Sequence, residues 1–196
     1  MSVKNFPSAP GTSSSGTNGI QSVLTPYISR FRYTPTIDVE TTENEDEEEI
    51  YKIEVRGWKL SVAAFDAFNS AATSCTTITH MSLWNCGLNE SHFNILNSTI
   101  LTSNIRSVVL DMNPDIPDTH FALLIGEESL LKSLSIRSNG ITDNGAKAIS
   151  NALKKNASLA SLNLWDNKVS RDGAEQIADV SYFVRQIQVD CSISRM

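Results

Sequence analysis

Three side chains lie close enough in the sequence to suggest catalysis. His80, Cys86 and Asp111 are a base, a thiol and a carboxylate, the types from which nucleophilic attack with an oriented base is built. The surrounding pattern argues against that chemistry. Cys86 falls at an inward position of a periodic apolar stretch, where a thiol is a small buried hydrophobe. The histidines His80, His92 and His120 do not have metal-ligand spacing, because the first falls on a strand and the other two on helices. The Gly-x-x-x-x-Gly-Lys-Ser/Thr loop that cradles phosphate is absent. Lys154-Lys155 is too small a basic patch for nucleic acid. The expectation is a protein that is not an enzyme and holds no metal or cofactor.

A second group suits binding. Arg56, Trp84, Asp111, Arg137 and Trp165 each occupy the seventh position of a repeated segment. Trp and Arg are the side chains most enriched in binding hot spots. His80 stands in the third-position column with Lys52, Ser107, Ser133 and Ser161. Asn163 stands in the fifth with Glu54, Ser82, Val109 and Ser135. On a strand, odd positions share one face. These columns are therefore expected side by side, with Trp84, Arg137 and Trp165 anchoring a protein partner and Arg56, His80, Asp111 and Asn163 adding polar contacts. The competing reading has Trp84 and Trp165 covering the rim of the core or stacking on a neighbouring Arg.

The repeat behind these columns has two registers. Its apolar strand positions begin at Ile50, Ile78, Ile105, Leu131 and Leu159, in steps of 28, 27, 26 and 28 residues. Downstream, Phe65, Phe93, Phe121, Ala146 and Ala174 align, and so do Phe68, Leu96, Leu124, Ile149 and Ile177. The two sets are three residues apart and share one helical face. Each unit reads as a short strand, a turn and an amphipathic helix, with Thr142 and Ser170 at N-cap positions. No unit can bury its apolar layer alone, so neighbours must stack. The ninth position holds Trp58, Cys86, Asn113, Asn139 and Asn167. Asn there can hydrogen-bond the backbone groups opened by the turn, and Cys replaces it in part. The Trp58 indole only donates, so the first unit is atypical, as a terminal cap should be. Pro114 and one extra residue predict a distorted turn in the third unit.

This motif resembles that of leucine-rich repeats. The run Asn139, Ile141, Thr142, Asp143, Gly145, Ala146, Ile149, Ala152 and Leu153 is similar to the ribonuclease-inhibitor class over residues 50–180. The resemblance implies an α/β solenoid, a horseshoe fragment with a parallel inner sheet and outer helices. It also implies a non-enzymatic scaffold or adaptor that holds protein on its concave face. Val55-Arg56-Gly57-Trp58-Lys59 and Leu83-Trp84 look like the leucine-rich repeat-containing protein 71 family of ciliated cells, which implies a cytoplasmic role at the cilium or axoneme. A second likeness is to the activating proteins of the nuclear-transport GTPase, which implies a regulator of an enzyme or small GTPase. In that family the acidic stretch follows a longer array, whereas here it precedes a short one, which favours the scaffold.

Composition bounds what remains. The 196 residues carry a net charge of −6, with 40% apolar residues, enough for a folded core. The charge is concentrated at one end. Residues 1–37 have no acidic residue, and residues 38–49 have eight. The first 49 residues therefore carry −5 and the rest −1. Nucleic acid is excluded as a partner by the lack of a basic row, and a membrane span by the shortness of the apolar runs. The three Cys form no disulfide framework, which suits a reducing compartment. Residues 1–49 read as a disordered tail, rich in Ser, Gly, Thr, Asn and Pro before its acidic end. That end is either a solvated spacer or a docking segment for a basic partner. Repeats stop after Asp179, and residues 181–196 read as an irregular or truncated end with a weak strand around Val184, Ile187 and Val189. A monomer or one part of a larger assembly is expected.

Overall fold

A computed structural model describes residues 42–43, 49–74, 76–184 and 188–190. One seven-stranded sheet runs through these residues in sequence order. Strand β1 (Thr42–Glu43) pairs antiparallel with β2 (Glu49–Arg56). All later neighbours are parallel: β3 (Ile78–Trp84), β4 (Ser107–Val109), β5 (Ser133–Ser135), β6 (Ser161–Asn163) and β7 (Gln188–Asp190). Between them lie α1 (Val62–Ser74), α2 (Glu90–Thr102), a 3-10 helix (Asp118–Ile125), α3 (Asp143–Leu153) and α4 (Arg171–Val184). Parallel neighbours need a crossover of this kind.

The two expected registers form one core between sheet and helices. From the strands come Ile53, Val55, Met81, Leu83, Val108, Leu134 and Leu162, all buried. From the helical side come Phe65, Phe68, Phe93, Leu96, Phe121, Leu124 and Ile149, also buried. Phe93 and Phe121 meet edge-on, with centroids 6.1 Å apart. Burying each such Phe stabilises by about 1.5–3 kcal/mol. Beside Ala146, α3 runs close against its neighbours at Gly145. A Cβ on Gly145 would stand 2.7 Å from Ile141 Cγ2 and 3.0 Å from the Asp118 carbonyl, so only glycine fits there.

The ninth-position ladder forms as its donors and acceptors require. Asn113 Oδ1 accepts from the backbone N–H of Cys86 (2.9 Å) and Leu88 (3.2 Å), and its Nδ2 donates to the Leu83 carbonyl (2.8 Å). Asn139 accepts from Asn113 N–H (2.7 Å), and Asn167 accepts from Asn139 (3.0 Å) and Ile141 (3.1 Å). The Cys86 thiol takes up part of the role by donating to the Val55 carbonyl (3.3 Å). Trp58 instead packs half-buried against the core.

Four expectations need correction. The third unit carries a 3-10 helix rather than an α-helix. It has fewer residues to work with, since its step is 26 and its turn takes one extra. At about 2.0 Å rise per residue, eight residues of 3-10 helix cover about the same length as the eleven of α3 at about 1.5 Å. Thr142 stands at the N-cap of α3 but makes no side-chain cap bond; its hydroxyl donates to Asp118 Oδ2 at 2.6 Å. Thr42 and Glu43, read as part of a disordered tail, form β1 against the edge of β2, opposite Ile50 and Glu49. Val184, read as part of a weak strand, ends α4, and the strand is β7, with Val189 opposite Leu162. Residues 1–41 and 191–196, with Ile187, lie outside the described residues.

Candidate protein-binding face

The sheet's outer columns stand in the expected register. Lys52, His80, Ser107, Ser133 and Ser161 are successive cross-strand neighbours, as are Glu54, Ser82, Val109, Ser135 and Asn163. Arg56 lies beside Trp84. Beyond the shorter strands, the seventh position passes into a turn. There the eighth residue donates its N–H to the seventh carbonyl of the next unit: Gly57 to Trp84 (2.8 Å), Asn85 to Asp111 (2.9 Å), Met112 to Arg137 (2.9 Å) and Ser138 to Trp165 (3.1 Å). These bonds string the five seventh-position residues into one row.

The eighth position carries a requirement that the repeat pattern does not reveal. In every unit it is left-handed: Gly57 (φ 68°), Asn85 (52°), Met112 (60°), Ser138 (55°) and Asp166 (58°). Gly, Asn and Asp accept that conformation most readily, and three of the five residues are of those types. Met112 and Ser138 hide the pattern.

The two ends of the row differ electrostatically. On β2, Glu54 is 9% exposed and accepts from Arg56 Nε, with Lys52 Nζ at 3.4 Å and Ser82 Oγ at 3.5 Å. Burial alone would raise its pKa, but the Arg56 hydrogen bond and the Lys52 and Arg56 charges outweigh it and hold the carboxyl below its ordinary value. Asp111, also 9% exposed, accepts at one oxygen from Ser135 Oγ (2.7 Å) and Arg137 N–H (2.9 Å). Arg137 lays its guanidinium 5.1 Å from the Trp165 ring centroid. Trp165 itself is 50% exposed, and its backbone N–H donates to Asn163 Oδ1 at 3.0 Å. Trp84 is half-buried at the other side of Asp111. Asp111, Arg137, Asn163 and Trp165 are thus brought together, whereas Arg56 is tied to Glu54.

His80 sits two columns away, its Nδ1 2.8 Å from Thr79 Oγ1. Burial, then the Lys52 charge, lowers its pKa. Cys86 does not join it. The thiol is fully buried on the core side of the sheet, and burial pushes its pKa up to about 12 against a backbone hydrogen bond from Trp58 that lowers it. Such a thiol is not an available nucleophile, and Asp111 is already engaged elsewhere. Among the described residues, no group of three or more His, Cys, Asp or Glu is placed to hold a metal ion, and no helix is long and apolar enough to cross a membrane. A trough of about 710 Å³ lined by Lys147, Ser150, Lys154, Gln176 and Asp179 lies between α3 and α4, on the helical side away from the row.

Strands, turns and helices of this form, joined by an asparagine ladder, define a leucine-rich repeat solenoid. A sequence profile of the family described as "Leucine Rich repeat" matches residues 129–150. A mouse protein, "NACHT, LRR and PYD domains-containing protein 4C", is 32% identical over 105 residues, which is 51% of this chain and 11% of that protein. The chain therefore spans about a tenth of that curated relative. Among solved structures, the tropomodulin C-terminal domain of Caenorhabditis elegans superposes with a TM-score of 0.57 at 15% identity, covering 85% of this chain and 93% of that one. A leiomodin-1 structure titled "Actin-Binding Site 2" aligns at a TM-score of 0.42 and 14% identity, over 94% of this chain and 83% of that one.

Proposed function

We propose that this chain is a non-enzymatic interaction module that holds a protein partner on the concave face of its sheet, the face away from the helices. Trp84, Arg137 and Trp165 are the anchors, and His80, Asp111 and Asn163 supply polar contacts. The observation that carries the reading is the half-exposed Trp165 with Arg137 stacked on it, in one row with Trp84. An exposed indole held flat by a cation brings large, rigid contact area at little entropic cost. Two columns from the row, the third position carries the small side chains of Ser107, Ser133 and Ser161, which leave space for a partner's backbone.

The test is recovery of partners from ciliated tissue on immobilised full chain and on a folded Trp84→Ala/Trp165→Ala variant. Loss of specific partners on the variant supports the reading, and identical recovery overturns it. Placement in a ciliary assembly rests on the Val55–Lys59 and Leu83-Trp84 motifs. A tagged full chain expressed in ciliated cells tests that placement: enrichment at the axoneme supports it, and diffuse signal removes it.

A further inference from the structure

We infer that the Arg137–Trp165 pair is a seat for a carboxylate, so that the face takes an acidic side chain from a segment of another protein. This rests on the reading of the row as a protein-binding face and names the chemistry it selects. Arg137 is the observation. Its guanidinium is stacked on Trp165, yet its side chain has no hydrogen bond or ion pair among the described residues, and Nε is enclosed without an acceptor. Asp111, the nearest carboxylate in the row, accepts from the Ser135 hydroxyl and the Arg137 backbone N–H rather than from the guanidinium. At the other end of the row, Glu54 satisfies Arg56 and Lys52. The cationic charge is therefore closed internally on β2 and left open at Arg137.

Stacking removes rotamer freedom from the guanidinium and presents its terminal N–H fork in a fixed plane, which matches the two oxygens of a carboxylate. Charge balance favours a monoanion. One cation stands with two carboxylates, Asp111 and Asp166, that already accept from the Ser135 and Ser138 hydroxyls, so a phosphate dianion would face both without a second positive charge. A carboxylate on Arg137, with an apolar neighbour against Trp165, engages both members of the stacked pair.

The test selects random dodecapeptides, synthesised with amidated C-termini so that any carboxylate is on a side chain, against the full chain. The expected result is enrichment of Asp or Glu at one position beside an apolar residue. For an enriched peptide, Arg137→Gln lowers affinity at least tenfold, acid-to-amide replacement in the peptide loses the same factor, and the two together lose no more than either alone. Arg137→Lys retains only part of the affinity, and added salt weakens binding. Because the Arg137 side chain makes no hydrogen bond or ion pair among the described residues, and its stacking on the half-exposed Trp165 is a weak contact at an exposed site, the variants keep the wild-type melting temperature within a few degrees. Absence of an enriched acidic position, or losses that add, overturns the carboxylate seat. Peptides that depend on Trp84 and Trp165 but ignore Arg137 overturn it while leaving the binding face intact. Peptides indifferent to all three overturn both.

Discussion

At the scale of residues, the eighth position of each unit shows a backbone demand met by unequal side chains. Met112 stands at φ 60° and is 39% exposed, so it is held left-handed without much burial in return. A left-handed non-glycine residue costs about 1–2 kcal/mol, and glycine returns part of that as unfolded-state entropy. Met112→Gly is therefore expected to stabilise by about 0.5–1 kcal/mol in urea unfolding. A methyl added at Gly140 (φ 74°) would meet only Lys168 Nζ, at 4.0 Å. Gly140→Ala should cost about 1–2 kcal/mol through conformation alone. A second residue-scale expectation concerns Cys86. Its thiol keeps its proton in the fold up to about pH 12, while the unfolded chain releases it near about pH 8.5. Between those values the native state binds the extra proton, so stability falls as pH rises. Cys86→Ala should flatten the alkaline limb of a melting-temperature profile, and in a Cys75→Ser/Cys191→Ser background the remaining thiol should react with alkylating reagent only at the rate of unfolding.

Elements are locked to one another at their N-termini by a device the repeat pattern did not announce. Asp118, first in the 3-10 helix, accepts from the N–H and hydroxyl of Thr142. Asp143, first in α3, accepts from the N–H and hydroxyl of Ser170 at 2.8 and 2.7 Å. Those hydrogen bonds, the Ser170 hydroxyl first, hold the Asp143 carboxyl below its ordinary pKa. The clamp ends at α4, where the equivalent residue is Arg171, bonded instead to Glu175 within its own helix. Asp143→Asn and Ser170→Ala should each lower the melting temperature, and the double variant should lose less than the sum of the two, since both remove the hydroxyl–carboxylate bond. The Asp143 contribution should be absent below its depressed pKa and present above the unfolded value, so the wild-type advantage over Asp143→Asn shrinks as pH falls. Sequence spacing announced the Thr142 and Ser170 positions as caps because a hydroxyl before a helix usually turns to its own backbone. It could not announce that a carboxylate one unit away accepts from each hydroxyl, at Ser170 alongside the cap bond from Asp172 N–H at 3.2 Å. The 3-10 helix was hidden for a related reason: Phe121 and Leu124, three apart, satisfy either helix type.

Across the whole molecule, the strand columns, the shared core and the asparagine ladder were legible because stacking forces every unit into the same period. The site was legible only as a row. Its position on a face follows from the alternation of strand residues, but nothing in the spacing of Asp111 and Arg137 says that the carboxylate binds a backbone N–H and leaves the guanidinium open. Stacked repeats also distribute stability along one dimension, so a defect in an interior unit splits the array. Asn139 is the interior rung. It is 3% exposed, accepts from Asn113 N–H at 2.7 Å and donates to the Leu110 carbonyl at 3.1 Å. Asn139→Ala strands the Asn113 N–H where water does not reach it, while the Leu110 carbonyl keeps the bond from Asn113 Nδ2 at 3.1 Å. One orphaned group costs about 1–3 kcal/mol, and that is the expected loss, large against the whole stability of a domain of this size. Cys86→Ala removes a weaker thiol bond beside the first unit and should cost less. Native-state hydrogen exchange would separate local from global effects: in Asn139→Ala the amides of β3 and β4 on one side, and of β5 and β6 on the other, should lose protection together if the array unfolds as one, and by different amounts if the broken rung divides it. Equal protection in variant and wild type would mean that the ladder follows the stacking of the core and does not support it.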